Sequence, residues 1–358
     1  MPSRPLSVRR ALAALAVPVL VTLAGAVGAA GEPAGDPSPT HRFTLSGDQN
    51  VVGTLQRVTA RYEDTLPGIG RMFNLGYDEI ARANPNLDTW LPGDGANVVL
   101  PTQFILPEAP REGLVLNVAA MRLYYFAPPD ADGNRELYTH PIGIGRVGWA
   151  TPLGSTKITA MAKNPAWYVP ESIRQEHAEA GDPLPAVVPP GPDNPLGSHA
   201  LRLAMPGYLI HGTNKPAGVG LRVSHGCIRL YPEDIASLFE MVDVGLNVHI
   251  VEQPYLVGWN GDRLMFAAHV PLQESGGDWL AALELIDDRL QAAPAGIGPV
   301  EIDWRRVARI AREGRGVAYP ILAGSPAPDE WLAASPLVRT EAVANYQPPP
   351  EDADSPEG

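Results

Sequence analysis

The chain has 358 residues and carries 27 Lys and Arg against 40 Asp and Glu, a formal net charge of −13. That balance argues against nucleic acid as a partner and against a basic patch for polyanions, and it favours solubility. The length points to two or three domains, and 39 prolines and 36 glycines predict many loops.

Arg4, Arg9 and Arg10 precede an apolar, small-residue run from Ala11 to Ala26, and Val27 to Ala30 suits a signal peptidase. Residues 1–30 therefore read as a secretory leader. A membrane span fits less well, because Pro18 interrupts the run and Ala and Gly supply little apolar surface. Removing the leader subtracts three arginines and no acids, taking −13 to −16. Residues 31–50 read as a polar linker. Residues 51–104 read as a small α/β module: helical spacing over 65–73 and 77–83, Gly76 ending the first helix, a turn at Asn84-Pro85-Asn86 and a strand at Val98 to Leu100.

The region 112–252 reads as β-rich. Leu114 to Phe126 alternates as a strand pair or a bent strand, and further strands are expected at Ile142 to Ile144, Ser155 to Met161 and Asn247 to Val251. Met205 to Ile210 leads into His211. Pro232 to Val242 reads as a helix, with Pro in its first turn and Glu233 and Asp234 at its positive end. Pro165 to Gly197 is proline-rich and reads as a long irregular loop, either a wall or lid of a cleft or a rigid surface loop. In the accessory region 253–344, a strand is expected at Arg263 to Val270 and helices over 279–290 and 303–311. Residues 345–358 read as a disordered acidic tail.

Cys227 is the only cysteine, so this chain can form no internal disulfide. A free thiol in an exported protein is exposed to oxidation, and it serves either as a small buried hydrophobe or in catalysis. Its surroundings favour catalysis. His211 and His225 lie nearby in sequence, with Gly212, Gly218, Gly220 and Gly226 allowing close backbone approach.

The segments His211-Gly212-Thr213 and Ser224-His225-Gly226-Cys227-Ile228-Arg229 together resemble the active-site signature of the L,D-transpeptidases, the YkuD family. Thr151-Pro152-Leu153-Gly154 is similar to a recurrent element of that catalytic domain. Parts of 165–197 and of the C-terminal region resemble the ErfK/YbiS subgroup. The text LGYDEIARANPNLDTWLPGDGANVVLP resembles a LysM module, which binds peptidoglycan glycan. The resemblance implies an α+β multidomain protein: a β-rich YkuD-like catalytic domain, a LysM-like α/β module and a C-terminal α/β extension. It also implies an enzyme of the cell envelope or periplasm acting on peptidoglycan stem peptides. Cys227 would be the nucleophile forming a thioester, and His211 the base, oriented by a partner for which the Gly212 carbonyl is one candidate. Gly226 and Cys227 would offer backbone N–H groups to an oxyanion. Ser224 would hydrogen-bond within the loop, and His225 would shape the loop or stand as a second polar group near the site. Arg229 would bind a substrate carboxylate or form a structural ion pair.

No metal-ligand spacing is present, and the implied reaction needs neither metal nor cofactor. The acceptor is left open by the sequence: a diamino acid giving a 3–3 cross-link, the terminal lysine of an outer-membrane lipoprotein or similar protein, or water in a thiol amidase. A non-catalytic peptidoglycan-binding protein is the alternative outside enzymes. The motif around the cysteine of papain-like proteases is absent.

Overall fold

The computed structural model describes residues 41–276 and 279–339. The expected leader, the first part of the linker and the acidic tail lie outside the described residues. Among the described residues no helix is long and apolar enough to cross a membrane.

A nine-stranded sheet organises the molecule. Its order is Arg42–Leu45, Arg135–Pro141, Arg122–Phe126, Gly113–Asn117, Asn247–Val251, Gly154–Lys163, His199–Leu203, Leu209–His211 and Ile228–Arg229. Two adjacent pairs are parallel: Asn247–Val251 with Gly113–Asn117, and Leu209–His211 with Ile228–Arg229. The expected pair within 114–126 is an antiparallel hairpin, turning through Met121 at φ +48°. Its strands are buried on both faces, so they read as continuous apolar runs. Leu114, Leu116 and Leu123 face one core with Ile158, Leu201, Ile210 and Ile228. That core is closed by Ile235 and Leu238 of the helix Pro232–Met241. Val115, Tyr124 and Phe126 point the other way, into a second core.

The second core is shared with the module at 51–104. There the antiparallel strands Gln56–Thr59 and Asn97–Leu100 flank the helices Leu66–Met72 and Tyr77–Ala83. Val58, Leu66, Ile69, Leu75, Ile80, Val98 and Leu100 meet the sheet residues in one cluster. Thr65 caps the first helix by accepting from the Gly68 N–H at 3.1 Å. Gly76 does not end that helix. The helix stops at Phe73, the following Asn74 takes a positive φ of 52°, and Gly76 is the N-cap of the second helix. Asn tolerates the left-handed region, and its amide is fixed at 2.9 Å by the Asp234 carboxylate, so no glycine is needed there.

The C-terminal region has its own three-stranded sheet, Tyr255–Asn260, Arg263–Ala268 and Tyr319–Pro320, covered by the helices Ala281–Gln291 and Trp304–Glu313. Asp303 caps the latter helix through the Arg306 N–H at 3.0 Å. The strand Leu337–Val338 then returns to pair in parallel with Gln56–Thr59.

The segment 165–197 is more ordered than its sequence led us to expect. It contains a nine-residue helix, Glu171–Glu179, and a short antiparallel ribbon of Trp167–Tyr168 with Val187–Val188. Asn194, 1% exposed, organises the remainder: its amide N–H groups donate to the carbonyls of Pro165, Val188 and Pro189. The helix escaped the sequence reading because only Ile173 on it is buried, which leaves no apolar period.

Candidate active site

The sheet's far edge carries the chemistry. In the parallel pair, Ile210 lies opposite Ile228 and His211 opposite Arg229. Both isoleucines enter the core at 0% exposure. Alternation then places Cys227, His211 and Arg229 on the opposite face. The loop separating the two strands in sequence thus returns the thiol to the imidazole's side of the sheet.

His211 is 3% exposed. Its Nδ1–H donates to the Gly212 carbonyl at 2.6 Å. A carbonyl can only accept, so Nδ1 carries the proton and Nε2 keeps its lone pair. Burial, reinforced by the Arg229 charge, lowers the His211 pKa to about 3, against the pull of its backbone bonds. Gly212 is itself required by packing, since a Cβ there would stand 3.0 Å from Ile235.

Cys227 is half-buried, and its thiol lies 3.7 Å from the Gly207 carbonyl. Burial pushes the thiol pKa up, partly offset by a backbone bond at Leu209 and by Arg229. At rest the thiol and the imidazole are therefore both neutral. Ser224, 1% exposed, donates through Oγ to the Cys227 carbonyl at 2.5 Å and closes the loop on itself.

Gly226 adopts φ +99°, and a Cβ there would come within 2.8 Å of the Tyr208 ring. Its carbonyl accepts from Thr151 Oγ1 at 2.9 Å, while the same hydroxyl oxygen accepts from the Gly145 N–H at 3.1 Å. Thr151 thus clamps the Cys227 loop to the segment Gly143–Gly145. Gly143 also exchanges backbone bonds with Arg229 at 2.8 and 2.9 Å. Among the described residues Arg229 makes no carboxylate pair, and its Nε is buried without a hydrogen-bond partner.

His225 stands apart from this backbone-held group. Its Nε2 is 3.1 Å from Arg146 Nη2 and 3.3 Å from Glu176 Oε2, and its ring lies edge-on to Trp149 at 4.9 Å. Arg146 and Glu176 are bonded to each other. Sequence reading missed Glu176, Arg146, Trp149 and Tyr208. Thr151 alone carried a signal, through the element it begins.

A neutral thiol and a tautomer-locked imidazole on one sheet face are the equipment of acyl transfer through cysteine. The comparisons place the chain in a family. Residues 111–250 match the YkuD model, the L,D-transpeptidase catalytic domain. The "Probable L,D-transpeptidase YcfS" of Escherichia coli K12 is 38% identical over 268 residues, covering 73% of this chain and 79% of that protein. The "Probable L,D-transpeptidase YbiS" of the same strain is 42% identical, covering 61% and 69%. The "Probable L,D-transpeptidase ErfK/SrfK" of Salmonella typhimurium LT2 is 36% identical, covering 79% and 87%. The chain belongs to the YkuD family of L,D-transpeptidases and is an enzyme.

Proposed function

We propose that this is an exported L,D-transpeptidase of the cell envelope that works on peptidoglycan stem peptides through a Cys227 thioester. The observation that carries the reading is the parallel register, which sets Cys227 on the face of His211, whose Nδ1 is held by the Gly212 carbonyl. His211 removes the thiol proton as sulfur attacks the donor carbonyl and returns it to the departing amine. With the thiol and the imidazole both neutral at rest, proton transfer accompanies attack rather than preceding it. The N–H groups of Gly226 and Cys227 serve the oxyanion. Arg229, a cation without a carboxylate pair among the described residues, receives a substrate carboxylate. Transfer to a second amine completes the reaction and gives a 3–3 cross-link or a protein attached to the wall.

The basic and apolar segment before residue 31 supports export to the periplasm. The strand–helix–helix–strand module supports a LysM-like glycan contact. Its loops before the first helix and before the second strand adjoin through the Leu66 N–H and the Thr89 carbonyl at 2.9 Å. They expose Tyr62 at 83% and Trp90 at 57%, apolar faces on which a sugar ring can stack.

The test is intact-protein mass after incubation with a tetrapeptide stem. An acyl adduct on wild type that is absent from Cys227→Ala supports the reading, and an adduct that survives the substitution refutes the thioester. Sedimentation with sacculi tests the module separately: Trp90→Ala should weaken pull-down without slowing acylation by a soluble stem.

A further inference from the structure

Acyl transfer to an amine leaves a proton to account for. At neutral pH an alkyl amine is an ammonium ion. When its nitrogen attacks the thioester, the C–S bond breaks and a C–N bond forms. One N–H proton returns to sulfur and regenerates the thiol, and one more must leave the site. His211 suits the first transfer. It does not suit the second, because it is buried and its Nδ1 is committed to the Gly212 carbonyl, which leaves a proton taken up there no route to solvent.

His225 has a different setting. Arg146, a donor, and Glu176, an acceptor, flank the same ring nitrogen at 3.1 and 3.3 Å. Neutral Nε2 accepts from the guanidinium, and protonated Nε2 donates to the carboxylate. Both protonation states therefore have a partner, and exchanging the proton leaves no orphaned group. The ring is half-buried against Trp149 and sits two residues before the nucleophile. The other titratable group facing it is His177 of the helix Glu171–Glu179, with ring centroids 6.4 Å apart, and His177 lies against Asp182 at 3.4 Å. Burial holds His225 below the ordinary imidazole range, with Glu176 opposing and Arg146 assisting, so the ring is neutral at neutral pH.

We propose that His225, backed by Glu176, takes the surplus proton from the acceptor ammonium, so that the two histidines of the motif serve different proton transfers. This rests on the Cys227 thioester reading. The ammonium proton passes to Nε2, the new N–H donates to Glu176, and the proton leaves to solvent from this half-exposed pair. His211 carries the remaining proton from the attacking nitrogen to the leaving sulfur. Glu176 thereby makes the helix Glu171–Glu179 part of the acceptor side of the cleft.

The experiment separates the half-reactions in wild type, His225→Gln and Glu176→Gln. Acylation of Cys227 by a donor stem is read by single-turnover mass spectrometry. Transfer is then read with two acceptors: an alkyl amine, protonated at neutral pH, and hydroxylamine, neutral there. His225→Gln should slow transfer to the alkyl amine roughly a hundred-fold more than it slows acylation, the low end for a lost proton acceptor. The gap should narrow as pH rises towards the amine's own pKa, and should nearly close with hydroxylamine. Glu176→Gln should act in the same direction more weakly. Equal losses on acylation and on both acceptors would mean a collapsed loop and would overturn the proposal, as would equal losses on the two acceptors alone. No adduct on folded wild-type Cys227 would instead bring down the thioester reading beneath it. Thermal unfolding establishes that each variant is folded.

Discussion

On the strand Leu209–His211 the protein holds its imidazole with main chain alone: a carbonyl fixes Nδ1, and strand pairing fixes the backbone. Across the loop, His225 is held by side chains from two distant segments, Arg146 and Glu176, and by the edge of Trp149. The first arrangement is rigid, buried and of one tautomer. The second is half-exposed and satisfied in either protonation state. A single short motif thus supplies one imidazole set by register and another set by long-range partners, and the difference matches two kinds of proton transfer.

The largest expected effect is at the sulfur. Cys227→Ala should abolish acyl transfer and leave thermal unfolding nearly unchanged, since a smaller residue fits the half-buried position. Product formation by a folded alanine variant would remove the thiol from the mechanism.

Next comes the main-chain-held imidazole. His211→Ala should lose roughly 10²–10⁴ in rate. Because the folded His211 pKa is about 3, the acid limb of kcat/KM should fall far below the ordinary imidazole range. A limb near pH 6.5 that disappears in the His211 variant would contradict the buried, neutral base. The same lowered pKa has a stability consequence. Unfolded, this histidine binds its proton near 6.5, and folded only near 3. Its contribution is complete above pH 6.5 and drains away as pH falls towards 3. Denaturant unfolding at pH 7 and 4.5 should therefore show wild type losing more stability than His211→Asn.

Gly226→Ala tests the join between the two arrangements. A side chain at φ +99° meeting the Tyr208 ring at 2.8 Å should cost about 1–3 kcal/mol of local strain and slow acylation by roughly ten-fold or more. Acylation at the wild-type rate would show that the loop has slack. The smallest effect belongs to the side-chain-held segment 165–197. Asn194→Ala should destabilise the segment 165–197 by about 1–3 kcal/mol, because partly buried carbonyls lose their donor and the buried Leu196 N–H loses its acceptor. Faster proteolysis within 165–197, with modest loss of activity, is the expected readout. Unchanged cleavage would make Asn194 dispensable.

The sheet was legible where apolar runs or alternation are strong, as in the two-faced buried hairpin of Leu114 to Phe126 and the alternating Asn247 to Val251. The helix Pro232–Met241 announced itself through Pro232 and its acidic first turn. The Cys227 and His211 segment stood out because a lone thiol among histidines and glycines has few other uses. The helix Glu171–Glu179 was not legible, because one buried residue makes no period. Glu176 and Arg146 could not be found from spacing, since only the folded chain brings residues so far apart against one ring nitrogen. Gly76 misled for a local reason: Asn74 took the left-handed turn that glycine usually supplies.

The pairing of Leu337–Val338 with Gln56–Thr59 also bears on how the molecule is made. The module's sheet gains its third strand only after the C-terminal region through residue 338 has been synthesised. A chain cut short before residue 337 leaves one edge of Gln56–Thr59 open, and open edges invite mispairing with other chains. The pairing thus ties the module's sheet to a distant C-terminal strand, and products lacking that strand should surface as aggregates or protease substrates rather than as working half-enzymes.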